Sequence, residues 1–178
     1  MQIRETSAED LPAILEIHSA AFGQAEEAEL TRDLLADPTA HPLLSLIAEE
    51  DDRPLGHVLF TGARLTKPDS DVPVSILAPL AVVPAAQRRG VGAALIKAGL
   101  DRLRQDGVAL VFVLGDPAYY TRSGFQPVGD QGLKAPYPLP AAYAEAWMVQ
   151  ALSDGVLGQV RGTVVCGDAL MRRELWVE

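Results

Sequence analysis

Cysteine is nearly absent: Cys166 stands alone in 178 residues. A lone thiol rules out an intrachain disulfide and a four-cysteine zinc site. Basic residues are outnumbered, 15 Lys and Arg against 24 Asp and Glu, for a formal net charge of -9. An acidic chain repels nucleic-acid phosphates, so no nucleic-acid partner is expected. Long apolar runs are missing too. The longest, ILAPLAVVPAA at 76–86, holds two prolines and is too short to cross a bilayer. No membrane partner is expected. The opening MQIRETSAED lacks the basic-then-apolar pattern of a signal peptide. A cytoplasmic location is the expectation.

What is present is enough apolar residue, 48% against 22% charged, to bury a globular core. No repeat, low-complexity tract or long linker divides the chain, which reads as one domain over 1–178 with its core at about 2–152. Residues 2–5 read as a short strand. Leu11, Ile14, Leu15, His18 and Phe22 fall at helical spacing. Either Ser7 with Asp10 caps that helix as a box, or Asp10 caps it and leaves Pro12 in the first turn. A second helix is expected over 26–36. LLSLIAEE (43–50) and PLGHVLFTGARL (54–65) around Asp51-Asp52-Arg53 form a hairpin signature. After a polar loop at 66–73, VSILAPLAVV (74–83) is a strand apolar on both faces, hence central. Pro79 in its middle cannot donate to a ladder, so it belongs at a bulge or where a neighbouring strand has peeled away.

GVGAALIKAGLDRLRQDG (90–107) is the clearest helix, with a broad apolar face and Gly107 as its stop. VALVFVLG (108–115) follows as a buried strand, completing a βαβ unit with parallel strands. Asp116-Pro117 opens a short helix that Gly124 closes, and Asp116 is read as its cap. FQPV and EAWMVQAL (145–152) read as strands around the Pro-rich loop 133–143. QVRGTVV and ELWV look strand-like, but 153–178 has no clear place.

PAAQRRGVGAAL (84–95) stands out. The first amides of a helix lack intrahelical partners, and the helix dipole adds roughly half a positive charge there. Gly90 and Gly92 keep side chains away from the backbone, and Arg88 and Arg89 add cations. Together these describe an anion site suited to a phosphate or pyrophosphate. A P-loop is excluded, because no Gly-Lys-Ser/Thr is present. A Rossmann fingerprint fits badly, since these glycines do not follow the first strand of the fold.

Gln87-Arg88-Arg89-Gly90-Val91-Gly92 matches the Q/R-x-x-G-x-G/A signature of the GNAT superfamily of acyl-CoA N-acyltransferases. LAVVPAAQRRGVGAALI resembles that family's fourth strand, pyrophosphate loop and third helix. DPAYYTRSGF resembles its segment after the fifth strand. The resemblance implies an α/β (α+β) fold: a mixed, mostly antiparallel sheet of six to seven strands, V-shaped between strands 4 and 5, with about four helices. It implies acetyl-CoA as cosubstrate, no metal, and a small-molecule or peptide amine as acceptor. Pantetheine would pair with the backbone of Leu80, Ala81 and Val82. Pyrophosphate would sit on the segment Gln87, Arg88, Arg89, Gly90, Val91, Gly92 and Ala93. The amine would attack the thioester directly, with Tyr120 as the acid that serves the leaving thiolate. No base is named: Glu49, Glu50 and His57 are candidates, and each has a structural reading at least as good. Trp147 and Trp176 read as packing aromatics, and Cys166 as a small buried hydrophobe. A homodimer would be unsurprising. Two further readings stand beside the enzyme: a GNAT-like module that holds acyl-CoA without turnover, and a nucleotide-binding domain using the same anion site.

Overall fold

In the computed structural model, which describes residues 1–69 and 71–177, nine strands and five α-helices follow one another. The order is β1 Gln2–Glu5, α1 Leu11–Phe22, α2 Glu26–Leu35, β2 Leu44–Glu50, β3 Arg53–Leu65, β4 Val74–Val82, α3 Val91–Gln105, β5 Leu110–Leu114, α4 Pro117–Tyr120, β6 Gln126–Pro127, β7 Leu133–Lys134, β8 Trp147–Ala151, β9 Gly162–Cys166 and α5 Glu174–Val177. Ser70, in the expected loop 66–73, lies outside the described residues. The sheet runs β1-β2-β3-β4-β5-β8-β6. All neighbours on that path are antiparallel except β4 and β5, as the βαβ reading requires.

Both alternatives for the start of α1 hold a part of the answer. Ser7 opens a 3-10 turn over Ala8–Asp10, where the Asp10 carboxylate accepts the Ser7 amide at 2.8 Å. α1 then begins at Leu11 with Pro12 in its first turn, where a missing N–H costs least.

Hydrophobic patterning sorts the two faces of the sheet. α3 drops Leu95, Ile96 and Leu100 onto Phe60, Leu77 and Val113 on one face. Leu34 of α2 packs with Leu59, Ile76 and Phe112 on the other. α1 lies beside α2, with Ile17 against Ile47 and Ala81.

Of the unplaced stretch 153–178, residues 153–177 find their place here, and Glu178 lies outside the described residues. β9 pairs antiparallel with the far end of β3, from Ala63↔Cys166 to Leu65↔Val164, where β2 has already ended. β7 joins β9 in parallel. ELWV, expected as strand-like, is instead the helical turn α5. Four apolar-rich residues carry too little periodicity to choose between the two. Helical winding lets the Trp176 indole donate to the Leu170 carbonyl at 2.8 Å and meet Trp147 edge-on at 5.7 Å. Both indoles are core residues.

Pro79 satisfies both of its expected reasons. The β3–β4 register passes from Val58↔Leu80 to Phe60↔Leu77, so Ala78 and Pro79 together oppose Leu59 in a bulge. The β4–β5 ladder ends at Leu77↔Val113. Beyond it β4 runs on to Val82 with one edge free, and that free edge is one wall of a cleft.

Candidate active site

The direction of the main chain at the free edge follows from one bond. Val83 N–H donates to the Leu55 carbonyl at 2.9 Å. Bonded pairs alternate along an antiparallel ladder, so Ala81, opposite His57, is the next residue bonded to β3. The amides and carbonyls of Leu80 and Val82 therefore point the other way, into the space β5 has left. The Gln87 side chain already donates to the Val82 carbonyl at 3.0 Å and ties the loop to the strand.

That loop turns sharply. Arg88 and Gly90 have φ of 65° and 81°, while Arg89 between them is not left-handed. Alternating backbone signs curl successive N–H groups toward one side, the geometry of an anion nest. α3 then starts, and its first bond runs from the Ala94 amide to the Gly90 carbonyl at 3.0 Å. Among the described residues, no acceptor meets the amides from Arg88 to Ala93.

The two glycines serve different ends. Gly90 is needed for its left-handed φ, and the space around its Cα is open. Gly92 is needed for room: a Cβ there would land on the Tyr119 hydroxyl.

The cleft has a volume of about 580 Å³. Of the expected cofactor residues it gathers Leu80, Val82, Gln87, Arg88, Gly90, Val91, Gly92 and Ala93, with Tyr120 on the opposite wall. Two lie off it. The Ala81 side chain packs on the far face against Ile17 and Ile47, and the Arg89 guanidinium is drawn aside to Glu50 at 3.1 Å.

The wall across from β4 comes from α4. Asp116 caps it as expected, accepting the Ala118 amide at 2.9 Å. Gly115 lets the Tyr120 ring lie on the chain, since a Cβ there would enter that ring. Tyr120 meets Phe125 edge-on at 5.8 Å and Tyr119 at 5.0 Å. Burial pushes the Tyr120 phenol well above its ordinary range, with help from Tyr119 and Asp116. Burial also raises Tyr119, against the opposing charge of Arg122.

Sequence reasoning missed Tyr119, Arg122 and Ser123, which also line the cleft. The available signal was helical spacing: Tyr119 and Arg122 are three apart, so they share a face. The Arg122 guanidinium sits 5.6 Å from the centre of the Tyr119 ring.

None of the three base candidates enters the cleft. Glu49 is bonded to Arg4 at 2.6 Å, Glu50 holds Arg89, and His57 is buried among other side chains. Cys166 is buried on β9, its thiol pushed up to about 12. Among the described residues, no three His, Cys, Asp or Glu side chains gather to share a metal ion, and no helix is long and apolar enough to cross a membrane.

Comparison with known proteins agrees with this geometry. A family model described as Acetyltransferase (GNAT) domain matches residues 2–128. The uncharacterized N-acetyltransferase YjhQ of Escherichia coli (strain K12) is 44% identical over 165 residues, covering 92% of this chain and 90% of that one. The crystal structure of the GNAT family N-acetyltransferase YhbS from Escherichia coli in complex with CoA superposes with a TM-score of 0.86 at 31% identity, over 96% of this chain and 92% of that one. A GNAT family acetyltransferase from Brucella melitensis in complex with acetyl-CoA gives 0.73 at 29% identity, over 94% and 96%. By its sequence, and by a sheet that opens between β4 and β5, the chain belongs to the GNAT N-acetyltransferase family.

Proposed function

We propose that this protein moves an acetyl group from acetyl-CoA to a primary amine by direct attack, the whole chain serving as one transferase domain. One observation carries the reading: the unpartnered amides of Arg88 to Ala93 open onto the same cleft as the free edge of β4. A diphosphate fits the first feature, and an extended amide-bearing arm fits the second as an added strand would. Leu80 and Val82 would bond the arm, with Ala81 between them keeping the strand on β3. Arg88 adds full charge from its side chain, and Arg89 only its amide.

The chemistry needs a polarised carbonyl and a stabilised leaving thiolate. A cleft-facing amide on β4 supplies the first. Tyr120 is the proposed acid for the second. A thiol near pKa ~8.5 is a stronger acid than any phenol near ~10. Burial of Tyr120 widens that gap, so the phenol stays protonated and acts first by donating a hydrogen bond to the growing thiolate. The net charge of -9 favours a cationic amine in the encounter.

One observation favours a second reading, a module that holds acyl-CoA without turnover: among the described residues, no carboxylate or imidazole lines the cleft. Calorimetry with CoA, followed by thiol release from acetyl-CoA with spermidine, tyramine and an alanyl peptide, separates the two. Binding with release supports the transferase, and binding without release supports the module. Absence of CoA binding removes both.

A further inference from the structure

Where β4 and β5 part, the sheet opens to both of its faces. Leu80, Val82 and Tyr120, which line the cleft, pack with the core under α3. Ala78 and Leu114 are the first residues beyond the last β4–β5 pair, and both pack with the core on the α2 side. Alternation along β5 requires this, since Val113 faces α3 and its successor must face away. On that second face a cavity of about 490 Å³ starts at Leu114 and Gly115. α5 and the 3-10 stretch Ala141–Ala146 complete its walls.

Cavity and cleft meet at one point. Gly115 borders the cavity, and the Tyr120 ring lying on its bare Cα borders the cleft. A molecule seated in the cavity therefore abuts the residue proposed above as the acid. The same end of the cavity carries two carboxylates. Asp116 follows Gly115 in the chain, and Glu145 precedes Ala146, whose carbonyl accepts the Gly115 amide at 3.0 Å. Asp116 gives Oδ1 to the Ala118 amide and keeps its other oxygen free of that cap. Neither carboxylate is in an ion pair among the described residues.

The two hollows are opposite in charge. Among the described residues, the cleft has Arg88 and Arg122 and no carboxylate, whereas the cavity has Asp116 and Glu145 and no cation. An anionic carrier suits the first and a cationic amine the second. Away from the carboxylates the cavity lining is hydrocarbon and aromatic: Leu114, Ala142, Trp176 and Tyr143. Tyr143 is 50% exposed, one of only three large apolar side chains left so among the described residues. An aromatic ring standing open at a cavity is a platform for another apolar or aromatic group. A polyamine would lay further charges on this lining without partners. A peptide would lay backbone amides on it, at a similar cost. A volume of about 490 Å³ is that of a small-molecule site.

We propose that this cavity, on the face of the sheet opposite the cleft, is the acceptor site, and that the acceptor is a small primary amine on an apolar, aromatic body. The inference rests on the acetyl-transfer reading above and adds the place and the class of the amine. Asp116 and Glu145 capture the ammonium end beside Gly115. The body lies on Leu114 and under Tyr143. Acetyl-CoA in the cleft and the amine in the cavity then meet through the gap between β4 and β5, next to Tyr120.

Tyramine and phenethylamine are the probes, with spermidine and the alanyl peptide as competitors. Thiol release should give the two aromatic amines the higher kcat/KM, and calorimetry should show them binding to the CoA complex. Two variants place them. Ala142→Trp fills the cavity from an exposed position and spares the core. The double variant Asp116→Asn, Glu145→Gln removes both charges, and asparagine keeps the helix cap. Each should raise KM for tyramine, and weaken its binding to the CoA complex, by at least about ten-fold. The calorimetric affinity for CoA should stay within about two-fold in both. Tyramine parameters that stay within about two-fold in both variants overturn the site. A higher kcat/KM for spermidine or the alanyl peptide overturns the class. A protein that binds CoA but neither binds nor acetylates the aromatic amines keeps its coenzyme cleft and loses this acceptor site. A protein that binds no CoA removes the transferase reading, and the proposal with it.

Discussion

The hydroxyl of Tyr119 occupies the space that a side chain at position 92 would need. The first turn of α3 and the aromatic wall of α4 are thus fitted to each other across the mouth of the cleft. A glycine that reads in sequence as clearance for phosphate is, in the fold, clearance for a phenol.

This pairing predicts a sign reversal. Gly92→Ala alone should destabilise the protein by about 1–3 kcal/mol, unless Tyr119 swings aside, because the new methyl group overlaps its hydroxyl. The ring carbon bearing that hydroxyl is 3.4 Å away, an ordinary contact. In a Tyr119→Phe background the same change should therefore be neutral, or stabilising by up to about 1 kcal/mol from helix propensity. Urea unfolding of the four proteins in the cycle measures the coupling. Equal effects of Gly92→Ala in both backgrounds would show that the hydroxyl is not the constraint.

The neighbouring arginines should separate in coenzyme binding. Arg88 lines the cleft, whereas the Arg89 side chain is paired with Glu50 outside it. Arg88→Gln should weaken CoA about ten-fold, the scale of one charge-assisted contact. Arg89→Gln should change affinity by less than about three-fold, since an exposed ion pair contributes little. Calorimetry at one fixed ionic strength reads both. A larger loss from Arg89 would place the diphosphate on the other side of the loop.

Much of this site was legible in the sequence, because β4 and β5 are continuous apolar runs, α3 between them carries a strong helical period, and the three are consecutive. Pro79 marked the opening of the sheet before any strand was paired. What escaped notice depends on contacts between distant residues. Leu65 meets Val164 only once β2 has run out, and nothing local to QVRGTVV announces a partner on β3. His18 and His57 are 39 residues apart, and each alone reads as an isolated histidine. Ala81 and Arg89 fell within the right segments but face away, Ala81 by strand alternation and Arg89 through Glu50. Tyr119 was overshadowed by its neighbour, although Gly92 is shaped around it.

Tyr120 should matter to chemistry more than to folding. Its ring is held by Phe125 and by the bare Cα of Gly115, and its hydroxyl meets no partner among the described residues. Tyr120→Phe should keep the melting temperature and the CoA affinity. It should lower kcat by about 10²–10⁴, the usual range for a lost acid. Gly115→Ala should lower kcat as well, by pushing the ring from its seat, with some loss of stability. A Tyr120→Phe enzyme with full kcat would leave thiolate stabilisation to other groups.

The buried histidine pair sets how stability responds to acid. Burial lowers His18 from 6.5 to about 4, and burial together with the charge of His18 lowers His57 to about 3. Unfolded chains therefore bind more protons than folded ones between pH 6.5 and about 4. Stability is complete above 6.5 and falls as pH drops through that window. At about 1.4 kcal/mol per pKa unit, His18 alone withdraws roughly 3 kcal/mol. The Asp10 carboxylate acts on His57 in the opposite direction, but it is shared with Arg4. Asp10, Asp37 and Asp101 have lowered pKa values, so their contributions fade only below their ordinary 3.8, outside this window. His18→Gln should thus flatten the fall of the urea midpoint between about pH 7 and pH 4.5. Below that pH the wild-type and variant curves should run parallel as the carboxylates take over. If both proteins lose the same stability across the upper window, the rings are not neutral in the folded chain.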